Sequence, residues 1–384
     1  MRNQMPRLNE SLNINSSEPF QLSAGDPYRQ DYFLELHNRF GYSPHGLIGI
    51  LPNSWGWIDS KQRGAISYLE VGNVWLASDP LASESHVQDV AKRFMNVANA
   101  RGKIVSFVPA TMRLAQGAEY LDMDAVSIGA SPYFDLQAWS TKGSEAKKVR
   151  ERVNQSIRAG VAVEELRGGD ISKAELSELC NGWLDTRRSI EFGWLFSLDP
   201  LRFSDRKRYF LARTPEGKAV GLLVASPMPV RSGWYLEDVI RHPAAPKGTS
   251  ELLVVEGMAA LARSGSKIAT LGTMLAAYLD LGEPVSRGDY RFAKKLFPLA
   301  CGHMESVYNF KGVRCFKEKF APSWMEPEFI MFPAGFSHPV RIAVAAARAI
   351  SEAGLKNAIG KRISAWRRAP NRVVRQYLLN CNQA

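Results

Sequence analysis

Cysteine is scarce and scattered. The chain has four, Cys180, Cys301, Cys315 and Cys381, with no CxxC spacing among them. That pattern excludes a zinc ribbon or a thioredoxin-type motif and reads as reduced thiols in a cytosolic protein. No apolar run approaches the roughly eighteen residues a membrane span needs, so no transmembrane helix is expected. The first residues are polar with acids mixed in, so neither a secretory nor a transit signal is expected. The GxSxG elbow, HExxH and the P-loop are all missing, which counts against hydrolase, zincin and NTPase chemistry. No metal and no cofactor are expected. Acids are the remaining shortage. Lys and Arg number 49 against 38 Asp and Glu, a formal charge of +11, and an excess of that size suits a polyanionic partner such as nucleic acid or an anionic membrane surface.

The charge is concentrated. From Ser337 onward nine basic residues stand against Glu352 alone, so +8 of the total falls in the last eighth of the chain. At 384 residues the length favours two domains over one. The boundaries read as a flexible N-terminus over 1–25, a first domain over 26–140, a basic linker helix over 141–165, a second domain over 166–336 and a basic helical tail over 337–384.

The most informative stretch runs from Gly233 to Pro243, a strand of aromatic and β-branched residues ending in a Pro-terminated loop. A long apolar-periodic helix follows from Glu251. Lys247, Gly248 and Thr249 lie at the helix start, where free N–H groups and the helix dipole favour an anion. Asp238 and Arg241 fall near the strand's end. A second strand–helix–strand unit runs from Asn73 through Pro80 to the strand at Lys103. Pro80 and Lys103 are separated by about the same distance as Pro243 and Lys267, so the chain reads as a duplicated α/β fold. Only the second copy has a Gly-Thr-Ser helix start, so if one copy is active it is the second.

Between the copies, Lys147, Arg150, Asn154 and Arg158 share a helical face by spacing and are candidates for tracking phosphates; a solvated linker helix accounts for them equally well. Coarse periodicity elsewhere gives a helix over Asp26–Phe40 and strands over Leu47–Trp57, Gly64–Val71 and Asn73–Ser78. It continues with a helix over Ser85–Ala100, a strand over Lys103–Pro109, a helical stretch over Leu114–Leu121, and two short strands at Ala125–Ile128 and Tyr133–Asp135. Near the end, His303 to Pro327 is dense in aromatics and lysines before an apolar strand, Phe329–Phe332.

In order along the chain, these stretches resemble the phosphatidylglycerol lysyltransferase C-terminal domain family, the catalytic part of aminoacyl-phosphatidylglycerol synthases (multiple peptide resistance factors). The resemblance rests on the turn Ser78-Asp79-Pro80, the segment at Ile128-Gly129-Ala130, and Arg150, Asn154 and Gly160 of the linker. It continues through the Phe-rich turn Glu191–Phe196, the strand end Asp238-Val239-Ile240-Arg241, and the closing run Tyr308–Val313, Phe316–Pro322 and Trp324. The family's "GDP" and "GeeA" segments are altered here, to Ser78-Asp79-Pro80 and Ala130-Ser131-Pro132.

The resemblance implies two GNAT-like acyltransferase domains in tandem and transfer of an aminoacyl group from a charged tRNA to a lipid head-group hydroxyl. It implies functional roles for Asp238, Arg241 and Lys317, with Lys319 competing for the last. Asp238 is expected as orienting group or general base, Lys317 (or Lys319) as a cation facing an oxyanion, and Arg241 on a phosphate. His242 and His303 are alternative bases. Glu305, Tyr308 and Asn309 are candidates for substrate contact, with Lys247, Gly248 and Thr249. The partners expected are aminoacyl-tRNA as co-substrate and an anionic membrane lipid. The tail is expected to dock peripherally on the inner face of the cytoplasmic membrane, or to grip tRNA. The family's membrane-embedded flippase has no counterpart in the sequence. A soluble metabolite or peptide as acceptor, or a non-catalytic lipid- or nucleic-acid-binding protein on the same fold, are the rival readings.

Overall fold

A computed structural model describes residues 18–22, 27–50, 54–186, 199–278, 309–334, 341, 342 and 345. Glu305 and Tyr308, the turn at 191–196, His303 and nearly all of the tail lie outside the described residues.

Helix α1 (Pro27–Phe40) follows the short strand β1 (Phe20–Gln21). Next come β2 (Trp55–Ile58), β3 (Gly64–Val71) and β4 (Val74–Ala77) as an antiparallel meander. The strand expected from Leu47 is shorter than its hydrophobicity suggested. Residues 43–49 are turns, held by bonds such as Gly49 N to the His45 carbonyl at 2.9 Å. After β5 (Leu81–Ala82), α2 (Val87–Asn99) buries Val87, Val90, Ala91, Phe94 and Ala98. That spacing is one face of a helix. Phe94 lies among Trp57, Tyr68, Trp75 and Phe107, and its burial alone is worth about 2 kcal/mol. The chain returns through β6 (Ile104–Thr111), parallel to β4 with Val74 opposite Ile104. Two short helices, α3 (Met112–Ala115) and α4 (Ala118–Leu121), then lead into β7. This is one continuous strand (Met123–Asp135) where periodicity gave two, because it is buried along nearly its whole length and carries no alternation to read.

Helix α5 (Lys147–Arg158) connects to β8 (Ala162–Leu166) and α6 (Lys173–Asp185). Strands β9 (Arg208–Arg213), β10 (Ala219–Met228) and β11 (Gly233–Arg241) form a second meander. Helix α7 (Thr249–Arg263) then crosses to β12 (Ile268–Thr270), parallel to β11 with Gly233 opposite Ile268. The two βαβ units inferred from the repeat are therefore present. Helices lie on both faces of one mixed α/β sheet.

The ends of the two units are exchanged. After β13 (Met274–Leu275) and α8 (Phe310–Glu318), the last strand β14 (Trp324–Pro333) returns to the first unit. There it lies between β6 and β7. Strand β7, in turn, pairs with β12 of the second unit. The strand order is β1-β2-β3-β4-β6-β14-β7-β12-β11-β10-β9-β8, so each unit ends on a strand that pairs with the other. Arg231 fixes β14 further through a bidentate pair with Glu326, its guanidinium 4.3 Å from the Tyr133 ring centre and 4.9 Å from that of Tyr42.

The start of α7 is a correction to the sequence reading. Gly248 is left-handed (φ 92°), and a Cβ there would lie 1.9 Å from the Arg152 carbonyl oxygen of α5. Thr249 is fully buried; its hydroxyl donates to the Pro246 carbonyl at 2.7 Å and lies 3.4 Å from Ser156 Oγ. The glycine is there because two helices meet, so this helix end faces protein and only Lys247 stays exposed. Of the tail, Arg341 is exposed, while Ile342 and Ala345 are buried against Val74, Leu76 and Val126.

Gly248→Ala should cost at least about 2 kcal/mol, from overpacking and a disfavoured φ together. A denaturant melt checks it: an unchanged midpoint would mean that α5 and α7 do not meet at this residue.

Candidate active site

Parallel strands β11 and β12 pair only at Gly233–Tyr235. Just after β12, side chains from both units meet around Thr273. Lys317, on α8, is half-buried, and its Nζ donates to the carbonyls of Gly272 and Thr273 at 2.9 Å each. The Thr273 hydroxyl donates to Glu328 Oε2 at 2.6 Å, and Ser131 Oγ donates to Oε1. His45 Nε2 lies 2.9 Å from the Thr273 hydroxyl and 3.4 Å from Glu328 Oε2. The threonine's one hydroxyl proton goes to the carboxylate, so its bond with His45 requires a proton on Nε2. The His45 ring meets Tyr235 edge-on at 5.6 Å. Asp79, buried at the end of β4, accepts from Thr111 N at 3.1 Å and Thr111 Oγ1 at 2.5 Å. His45 and Asp79 also line a cavity of about 40 Å³ with Ser43, Ser67, Ser78 and Pro109.

Burial sets the protonation states here. Loss of solvent pulls the Lys317 amine down to about 7, against the opposing pull of Glu328. Loss of solvent also pushes Asp79 up, only partly offset by Arg113 and the Thr111 bonds. Glu328 goes the other way. Burial alone would raise it, but His45 and the Ser131 and Thr273 bonds outweigh that and hold it below the usual carboxylate range.

Asp238 belongs to a neighbouring group. Strand β11 carries one extra residue opposite β10, since Val224 faces Asp238 while Ala225 faces Leu236. The bulge re-aims Glu237. Glu237 pairs with the buried Lys207 at 3.0 Å and accepts from Ser226. Asp238 Oδ2 is buried with no hydrogen-bond partner among the described residues. Desolvation, with Glu237 beside it, pushes the carboxyl up to about 8. It therefore keeps its proton at neutral pH, where a general base would have lost it. The charges that act on it are Glu237, Lys207 and Asp199.

The other expected residues separate by geometry. Lys319 pairs with Glu251 of α7 at 2.7 Å and lies 4.0 Å from the centre of the Phe316 ring, which ties it to packing. Arg241 Nη1 donates to the Ala245 carbonyl at 3.0 Å and closes the loop after β11. His242 Nδ1 accepts from Ala244 N, a turn role. Asn309 caps α8, its side-chain oxygen accepting from Gly312 N at 2.7 Å. Arg150 turns back onto the carbonyls of Thr141 and Gly143. Lys147, Asn154 and Arg158 stay exposed, but the open concave face of α5 is formed by Lys148, Glu151, Arg152, Gln155 and Arg158. No cluster of metal-ligating residues occurs among the described residues. His45, Thr273 and Glu328 were missed by sequence reasoning. Asp79 and Ser131 stood within quoted motifs, but nothing in their spacing marked them as converging.

Residues 50–332 match the pattern of the phosphatidylglycerol lysyltransferase, C-terminal family. The chain belongs to that family. It is 24% identical over 286 residues to the lysylphosphatidylglycerol biosynthesis bifunctional protein LysX of Gordonia bronchialis, covering 70% of this chain and 24% of that one. It is 23% identical over 313 residues to the phosphatidylglycerol lysyltransferase of Bacillus subtilis, covering 78% and 34%. The chain thus spans about a quarter to a third of the length of these curated relatives. Its fold is shared with the C-terminal domain assigned to a lysylphosphatidylglycerol synthetase from Agrobacterium fabrum (TM-score 0.70, 21% identity, 85% of this chain and 98% of that one). L-PGS from Bacillus licheniformis is similar (TM-score 0.69, 20% identity, 84% and 96%).

Because Asp238 is protonated when folded and ionised when unfolded near neutrality, its contribution to stability is full below about pH 4 and lost as pH rises through about 8. Asn cannot ionise. The melting temperature of Asp238→Asn relative to the parent should therefore rise by roughly 2 °C or more between about pH 5 and pH 9. A difference constant with pH would show that this carboxyl is not held protonated.

Proposed function

We propose that this chain transfers an aminoacyl group from aminoacyl-tRNA to the head-group hydroxyl of phosphatidylglycerol, as a peripheral enzyme at the inner face of the cytoplasmic membrane. The lipid acceptor is supported by family membership and by the lysyltransferase names of its relatives. The single observation that carries the chemistry is Lys317. A neutral amine that donates both N–H groups to the Gly272 and Thr273 carbonyls keeps its lone pair free. With the amine pulled down to about 7, that form is populated near neutrality. This differs from the cation expected from sequence. The lipid hydroxyl oxygen attacks the ester carbonyl of the aminoacyl-tRNA while its proton passes to Lys317 Nζ. The bond from the carbonyl carbon to the ribose oxygen then breaks, and that oxygen takes the proton back. The donor ester is already activated, so positioning and proton transfer suffice, and no metal or cofactor is required. Arg241, with one N–H on the Ala245 carbonyl, would offer its others to a phosphate, and the protonated Asp238 would act as a hydrogen-bond donor.

The tRNA reading is supported by α5, whose open face combines Lys148, Arg152 and Arg158 with Glu151 as its one acid. Phosphate contacts of this kind position a nucleic acid without reading its sequence.

Two outcomes test the proposal, with labelled aminoacyl lipid recovered by solvent extraction as the readout. Transfer should rise about tenfold per pH unit below about 7 and level off above it, and Lys317→Arg, which stays protonated, should lose about a hundredfold or more. A Lys317→Arg variant with undiminished transfer would remove the amine from the chemistry. Replacing Lys148 and Arg152 together by Glu should leave the melting temperature unchanged but weaken tRNA binding and reduce the slope of log affinity against log salt by about two. An unchanged slope would place tRNA elsewhere.

A further inference from the structure

Glu328 is charged and buried, and one residue distant in sequence from both, Thr273, joins it to Lys317. Thr273 accepts a hydrogen bond from Lys317 Nζ on its carbonyl and donates one to Glu328 from its hydroxyl. The segment carrying Thr273 is held in place, because β13 pairs with β7 (Met274 opposite Ala130). A Cβ on Gly129 of β7 would also come within 2.2 Å of the Met274 carbonyl oxygen. Ser131, on the same strand, donates to the other oxygen of Glu328. His45, from the loop after α1, closes the group from the first unit. Lys317 and Glu328 form no direct ion pair within 4 Å; Thr273 bridges them, its backbone carbonyl holding the amine and its hydroxyl the carboxylate.

We propose that Glu328, delivered by the exchanged strand β14, is a positioning residue that governs the proton affinity of Lys317 through Thr273 and His45. The proposal rests on Lys317 as the proton acceptor. Its physical content is a competition. Burial drives the amine towards its neutral form, and the fixed negative charge of Glu328 opposes it, so the balance stays near neutral pH. Every other charged group around the pair is engaged. Asp79 faces Glu328 from the end of β4 and is bonded to Thr111. Glu318, next to Lys317 on α8, is held by Tyr278 at 2.5 Å and Arg314 at 2.7 Å. His45 is bonded to Thr273. Glu328 is the carboxylate whose charge acts on the amine against burial.

The test is a titration of Lys317 in the full chain, with lysine carrying a ¹³C label at Cε and the Lys317 signal assigned through Lys317→Met. In Glu328→Gln the midpoint should fall by about one pH unit, because the charge that favours the ammonium form is gone. If Glu328→Gln gives no cooperative melt, Thr273→Val decides. It keeps the charge but releases its anchor, and the midpoint should move the same way by less. An unmoved or rising midpoint in a folded variant would overturn the proposal. The acid limb of the transfer rate, measured on the same variants, should follow the midpoint. A midpoint that falls while the acid limb stays put would confirm the coupling and remove Lys317 as the proton acceptor, so the two readings fail separately.

Discussion

The buried Glu328 carboxylate can exist in this fold only because β14 leaves its own unit and lies between β6 and β7 of the other. A carboxylate so enclosed is tolerated only when its oxygens are hydrogen-bonded. Its donors come from three directions: Ser131 on β7, Thr273 after β12, and His45 after α1. Two of those segments, β7 and the loop after α1, belong to the other unit. The exchange is thus the constraint behind both the architecture and the chemistry. It makes one sheet from two βαβ units and places a side chain of the second half among side chains of the first.

The two units show how duplication leads to division of labour. In the first unit, Val108-Pro109 and Asp79 border a cavity of about 40 Å³, large enough for water but not for a substrate. In the second, the Lys317 amine of α8 is bonded to the carbonyls of Gly272 and Thr273, just after β12. Desolvation acts in opposite senses on two groups, pulling Lys317 down to about 7 and pushing Asp238 up to about 8. Near neutral pH the result is a base without charge and a carboxylic acid without charge.

How much of this was legible beforehand depended on distance along the chain. The βαβ units, α2 and α7 were visible because their apolar residues recur at helical spacing and the two copies could be laid side by side. Lys317 and Asp238 were visible through motifs. Their roles were not, since a charge state depends on burial and neighbours. Gly248 was misread because a glycine before Thr-Ser looks the same whether an anion or the Arg152 carbonyl approaches it. Lys317 and Lys319 were indistinguishable by type and separated at once by partner, one on backbone carbonyls and the other on Glu251. His45 carried no signal, because its partners lie more than two hundred residues away.

The central claim is that this assembled site esterifies a lipid hydroxyl, and the identity of the acceptor tests it most directly. The purified chain would be given tRNA charged with labelled amino acids, with vesicles either containing phosphatidylglycerol or made of phosphatidylcholine alone. The account predicts label in the organic phase only with phosphatidylglycerol, released as free amino acid by mild base, as an ester must be. Label that leaves tRNA equally in both, or only when a soluble extract supplies the acceptor, would contradict it.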